Sequence, residues 1–141
     1  KGVKRRLEYV GEFSNIHLFD DFAHHPTEIK ASLEAMGSEF HPSKLYAIVE
    51  LASNTMKRGS LKSELKESFH DAEYVWILDS GDSEWDVQKE FFGIKNIGIV
   101  RNLDELSDQV LTKLKSEDKV VIMTNKNSVG IRNIFTKGLP V

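Results

Sequence analysis

The sequence predicts an α/β domain: a six-stranded, mostly parallel, doubly wound sheet that begins with a β-hairpin. Three observations predict it. Two strand-like segments near the N-terminus are separated by only two residues. Beyond them, apolar runs of strand length alternate with segments whose apolar residues recur at helical spacing. The runs at 45–51 and 74–78 are nearly unbroken, as in strands covered on both faces.

The elements follow in order. Leu7 to Phe13 and Ile16 to Asp20 read as strands, with Ser14-Asn15 as the turn of a hairpin. Pro26 suits the first position of a helix, because its missing N–H costs nothing there. Ile29, Leu33 and Met36 share one helical face, and Gly37 is a candidate stop. Leu45 to Leu51 is the next strand. Ser60 is a candidate N-cap for a helix carrying Leu61, Leu65 and Phe69 on one face. Tyr74 to Leu78 is a buried strand. The segment 79–93 reads as a loop with a short helical stretch near Val87 to Phe91. Ile97 to Val100 is a short strand, after which Asn102 caps a helix with Glu105 as its capping-box partner. Leu106, Val110, Leu111 and Leu114 form its apolar stripe. Val120 to Met123 is the last strand, and Val129 to Phe135 a closing helix. Strands joined through helices in this way imply right-handed crossovers and a Rossmann-like sheet. Ligands of such sheets sit beyond the carboxyl ends of the strands, here after Asp20, Leu51, Leu78 and Met123.

A length of 141 residues fits one domain, 1–141, with a core of its own. The absence of cysteine excludes disulfide frameworks, thiolate zinc sites and cysteine nucleophiles. No apolar run approaches the roughly 18–20 residues that span a bilayer, and no signal peptide is visible, so no membrane partner and a cytoplasmic location are expected. The net charge is −3, but 4 of the 19 basic residues lie in the first six positions, leaving 15 against 22 acidic residues in the rest. Nucleic-acid domains usually spread basic charge over a face, so no nucleic-acid partner is expected. The cluster fits either a small anion near the N-terminus or a solvated chain end.

Four segments could carry chemistry. The first is Asp20-Asp21-Phe22-Ala23-His24-His25-Pro26-Thr27-Glu28, where a strand passes into a helix. Adjacent strand residues point to opposite sides, so one carboxylate can face a ligand while the other supports the loop. Carboxylates accept ribose hydroxyls well. They also serve as turn and cap residues. A metal site would need further ligands, and no HExxH-like spacing supplies them. The second is Ser53-Asn54-Thr55-Met56-Lys57-Arg58-Gly59, whose amide, hydroxyl and cationic groups suit a carboxylate or phosphate, or simply cap a helix. The third is Gly2-Val3-Lys4-Arg5-Arg6, since the guanidinium fork matches phosphate oxygens. The fourth is Thr124 to Gly130, where a loop entering a helix N-terminus can hold an anion; with a single glycine it carries no GxGxxG fingerprint and reads as structural. Trp76 reads as core. Trp85 fits either a surface aromatic or a lid.

Together the first three segments resemble the C-terminal domain of the Mur ligases, ATP-dependent amide-forming enzymes of peptidoglycan synthesis. Lys1 to Glu8 is similar to the start of that third domain. Residues 20–28 resemble the DD-aromatic-small-HHPTE signature of the branch that acts on UDP-N-acetylmuramate. Ser53-Asn54-Thr55-Met56-Lys57 is similar to the SNTMK stretch of members that join the tripeptide L-Ala-γ-D-Glu-meso-diaminopimelate to it during peptidoglycan recycling.

The resemblance implies roles. Arg6 would approach nucleotide phosphate, Asp21 would hold ribose and His24 would lie beside the nucleotide, with Asp20 and His25 supporting the loop. Ser53, Asn54, Thr55 and Lys57 would face the tripeptide, Lys57 taking a carboxylate. Leu51-Ala52 stands where the family carries Pro-Arg. The family reaction phosphorylates the muramyl carboxylate with ATP and Mg²⁺, and the peptide amine then attacks the acyl phosphate. No GxxxxGK[ST] loop occurs in this sequence. The resemblance places that loop, the metal and the UDP-sugar site on N-terminal and central domains preceding this one. The chain alone is then expected to be an inactive fragment of a three-domain enzyme. The alternatives are the same domain of the L-alanine-adding ligase, or a stand-alone nucleotide-binding regulatory module.

Overall fold

A computed structural model describes residues 7–39 and 44–137. The chain runs β1 (Glu8–Phe13), β2 (Ile16–Asp21), α1 (Pro26–Glu39), β3 (Leu45–Glu50), α2 (Asn54–Arg58), α3 (Lys62–Ser68), β4 (Tyr74–Leu78), α4 (Val87–Glu90), β5 (Ile97–Val100), α5 (Leu103–Lys113), β6 (Lys119–Met123) and α6 (Val129–Lys137). One sheet holds all six strands in the order β1-β2-β6-β3-β4-β5. The β1–β2 pair is antiparallel, and every other pair is parallel. Ser14 and Asn15 have φ of 52° and 67°, the left-handed values that a two-residue hairpin turn needs to match strand twist.

Alternation along the buried strands builds two cores. Leu45, Ala47 and Val49 of β3 face one side, with Val75, Ile77, Val121 and Met123, and pack under Ile29, Leu33 and Met36 of α1 and Leu65 of α3. Tyr46 and Ile48 face the other side, with Trp76, Val120 and Ile122, under Leu106 and Val110 of α5 and Ile131, Ile134 and Phe135 of α6. Trp76 is core, as its run suggests. Its indole N–H donates to Gln109 Oε1 at 3.1 Å, so a fully buried ring keeps its polar edge satisfied.

Two local expectations need correction. Gly37 does not end α1, which continues to Glu39. The stripe of Ile29, Leu33 and Met36 holds the helix on the sheet, and that packing outweighs the modest cost of one helical glycine. Ser60 is not the cap of α3. Leu61 takes the N-cap position and makes no side-chain cap bond. The segment after β3 forms α2, a separate five-residue helix that ends on Gly59 in the left-handed region at φ 82°. Among the described residues, no helix is long and apolar enough to cross a membrane.

Insertion of β6 between β2 and β3 positions the site. The chain leaves β2 and β3 toward the face of α1 and α3, and leaves β6 toward the face of α6. Crossovers therefore diverge on both sides of β6, and the carboxyl ends of β2, β6 and β3 border a topological switch point.

Candidate functional site

The two aspartates at the end of β2 diverge as the strand pleat requires. Both side chains are fully buried, at 0% exposure. Asp21 turns toward α1. Its Oδ1 accepts from the Ala23 N–H at 2.9 Å and its Oδ2 from the Ser32 hydroxyl at 2.5 Å. Asp20 turns toward α6. Its Oδ2 accepts from the Ser128 hydroxyl at 2.7 Å and from the Arg132 guanidinium. A buried carboxylate without such donors would cost several kcal/mol of lost solvation. Each aspartate thus anchors a different helix to the same strand end.

The following loop carries two histidines with opposite ring chemistry. Nδ1 of His24 lies 3.0 Å from the Phe22 carbonyl, which can only accept, so Nδ1–H is the donor. The ring is about one-third exposed beside Glu28, at 3.8 Å. His25 precedes α1. Its carbonyl accepts from Ile29 N–H at 3.0 Å and its Nδ1 from Thr27 N–H at 3.2 Å, an N-cap made by imidazole in place of the usual hydroxyl or carboxylate.

On the other side of β6, Ser53 Oγ accepts from Met56 N–H at 3.2 Å and so caps α2. Asn54 is exposed in the first turn. Thr55 lies in the same helix. Lys57 lies in the last turn of the helix, and its Nζ donates to Asp82 Oδ2 at 2.6 Å. Asp82 belongs to the loop after β4, where Ser80 Oγ donates to its other oxygen at 3.1 Å. The Lys57 hydrogen bond holds the Asp82 carboxyl below its ordinary range, against the opposing effect of desolvation. Two further bonds fasten that loop to α2. Glu84 N–H donates to the Lys57 carbonyl at 2.6 Å, and the Trp85 indole N–H to the Met56 carbonyl at 2.8 Å. Trp85 is therefore a strut between α2 and the loop after β4.

The loop after β6, read from sequence as structural, lies between these two groups. Thr124 is fully buried at the end of the strand. Its hydroxyl donates to Glu50 Oε1 of β3 at 2.6 Å and accepts from Lys126 N–H at 3.0 Å. The side-chain oxygen of Asn125 and Nε of Arg132 are buried there without a hydrogen-bond partner among the described residues.

The structure sets the 20–25 and 53–57 segments singled out in the sequence at carboxyl ends of strands flanking β6. Arg6 lies outside the described residues. Sequence reasoning missed Ser32, Arg132 and Asp82, and read Thr124 and Ser128 only as parts of a structural loop. Ser128 and Arg132 are four apart at the start of α6, a spacing that puts both on one helix face. That spacing was the only available signal, and it does not name Asp20 as their target. Among the described residues, no three His, Cys, Asp or Glu side chains converge to hold a metal ion.

Comparison with known proteins agrees with this geometry. The family model described as "Mur ligase, glutamate ligase domain" matches residues 5–125. The UDP-N-acetylmuramate–L-alanyl-γ-D-glutamyl-meso-2,6-diaminoheptandioate ligase of Escherichia coli K12 is 33% identical over 97% of this chain and 30% of its own length. A UDP-N-acetylmuramate–L-alanine ligase of Caldicellulosiruptor bescii is 38% identical over 75% of the chain and 22% of its own length. A crystallised domain of a ligase of the first kind from Haemophilus ducreyi superposes with a TM-score of 0.78 at 29% identity, covering 96% of this chain and 100% of that one. The murein peptide ligase of Psychrobacter arcticus gives 0.81 at 27% identity, over 99% of this chain and 32% of that one. The chain spans about 30% of the length of the curated relative from Escherichia coli. With a family model covering most of its length and the matching sheet order, the chain belongs to the Mur ligase family, as its glutamate ligase domain.

Proposed function

We propose that residues 1–141 form one domain of an ATP-dependent ligase that joins L-alanyl-γ-D-glutamyl-meso-diaminopimelate to UDP-N-acetylmuramate. The observation that carries this is the 33% identity to the Escherichia coli tripeptide ligase across 97% of the chain. The geometry supports a division of labour. The nucleotide side is Arg6, Asp21 and His24, with Asp20 and His25 holding the loop. The peptide side is Ser53, Asn54, Thr55 and Lys57. In the described conformation Asp21 is buried behind the 22–25 loop, so a ribose contact requires that loop to shift when the domain closes on nucleotide. Mg²⁺, the phosphate-binding loop and the UDP-sugar site belong to the other domains in this reading.

The test is steady-state ligation by the intact enzyme. Asp21→Ala raises KM for ATP while Lys57→Ala raises KM for the tripeptide more than for ATP. An unchanged KM for ATP removes the ribose assignment, and equal losses for both substrates with Lys57→Ala remove the peptide-side assignment. A second reading, addition of L-alanine, is favoured by the 38% identity to the L-alanine ligase over its shorter span. Offering both acceptors to one preparation separates the two: use of L-alanine and refusal of the tripeptide overturns the first.

A further inference from the structure

Lys57 is the cation to which the peptide side assigns a substrate carboxylate, yet it already holds one. Its Nζ is 2.6 Å from Asp82 Oδ2, and the pair links the carboxyl ends of the adjacent parallel strands β3 and β4. The backbone on both sides is fixed, by Glu84 N–H on the Lys57 carbonyl and by Trp85 on the Met56 carbonyl. The head groups are not enclosed: the Asp82 side chain is 55% exposed and that of Lys57 is 23% exposed. With more than half of its side chain in solvent, the Asp82 carboxylate can withdraw from Lys57 without displacing a packed group. A rigid frame therefore holds a solvent-facing ion pair that opens by side-chain movement alone.

We propose that the Lys57–Asp82 pair reads a zwitterionic amino-acid end of the acceptor peptide, one carboxylate going to Lys57 and one ammonium to Asp82. The proposal rests on the tripeptide reading above and names the residue that would set its specificity. Charge bookkeeping selects the ligand. A 2,6-diaminoheptanedioate residue linked through one amine keeps one ammonium and two carboxylates. Its far end carries one of each on a single carbon. Such a group exchanges one ion pair for two new half-pairs and strands neither protein charge. A carboxylate alone must displace Asp82 and leave it facing like charge. An ammonium alone does the same to Lys57. Opening an exposed pair costs little, so this discrimination does not come at the expense of binding. Both new hydrogen bonds join ionised groups and so belong to the stronger class.

The experiment compares three acceptors with the intact enzyme: the meso-diaminopimelate tripeptide, its analogue with 2-aminoheptanedioate as third residue (no free ammonium), and the L-lysine tripeptide (no far carboxylate). The wild type is expected to prefer the first over each of the others by at least about tenfold in kcat/KM, through KM. Asp82→Asn abolishes the preference over the 2-aminoheptanedioate peptide and retains the preference over the lysine peptide. Lys57→Met does the reverse. Preferences unchanged in Asp82→Asn, or absent in the wild type, overturn the inference while leaving the ligase reading intact. No ligation of any acceptor by the wild type overturns both. A loss of kcat equal for all three acceptors in Asp82→Asn, with native circular dichroism, marks a merely structural loop contact and also overturns the inference.

Discussion

Gly59 is where the structure makes its sharpest energetic commitment. It ends α2 at φ 82°, and a Cβ built there would lie 2.7 Å from both Cγ and Cδ1 of Trp85. Replacement by alanine therefore combines two costs. The left-handed backbone costs an L residue roughly 1–2 kcal/mol. The methyl must also push the Trp85 ring away. That loosens its bond to the Met56 carbonyl, worth about 1 kcal/mol, and its packing against Phe91, worth about 1 kcal/mol more. Gly59→Ala is expected to destabilise the domain by about 3–4 kcal/mol. Gly81 is the internal control. Its φ of 102° carries the same backbone cost, but nothing lies within 4 Å of its Cβ position, so Gly81→Ala should cost only about 1–2 kcal/mol. Trp85→Phe, which removes the N–H but keeps a ring, should fall near 1–2 kcal/mol.

The assay is urea unfolding of the 141-residue chain followed by circular dichroism, with m held constant across the series. Its use on the isolated domain is encouraged by the Haemophilus ducreyi relative, crystallised as a domain alone. A Gly59→Ala penalty within about 0.5 kcal/mol of the Gly81→Ala penalty would refute the strut argument. In the intact enzyme the same substitution should raise KM for the acceptor peptide and leave KM for ATP unchanged, because Trp85 supports α2 and not the loop after β2.

Asp20→Ala should cost about 2–4 kcal/mol in the same unfolding assay. It strands Arg132 and Ser128 at the start of α6, with some relief because the Arg132 side chain is 32% exposed. Asp82, with its folded-state carboxyl held below the ordinary 3.8, strengthens the fold above that pH and loses the contribution as pH falls through the lowered value. A carboxyl-detected NMR titration should place its midpoint below 3.8, and Lys57→Met should raise that midpoint toward 3.8. The 141-residue chain on its own should show no ATP-dependent ligation, and measurable turnover by it would overturn the division between domains.

The sheet was largely legible in the sequence because its signals are local. The strands at 45–50 and 74–78 announce themselves as apolar runs, and Ser14-Asn15 supplies the hairpin turn. Helix ends were less legible, because packing decides them: Gly37 stays helical where α1 lies on the sheet. The site was legible only as separate pieces. His25 and Ser53 cap the helices that follow them, which is short-range chemistry that neighbouring residues reveal. The Asp20–Ser128 and Asp20–Arg132 bonds and the Thr124–Glu50 bond join residues 108, 112 and 74 positions apart. No spacing rule reaches across such distances.

Those three bonds share a cause. The last strand, β6, enters between β2 and β3, and only then do the loops after the three strands become neighbours. Before that insertion, Asp20, Asp21 and Glu50 end strands with an open side, and neither Ser128 nor Thr124 is in reach. The groups of the proposed nucleotide and peptide sides therefore take their relative positions from β6, through contacts of high sequence separation. The two halves of the proposed site are coupled by the strand between them. A perturbation of β6 that spares every proposed ligand residue should consequently impair both halves together, whereas one in α2 or the loop after β4 should impair the peptide half alone.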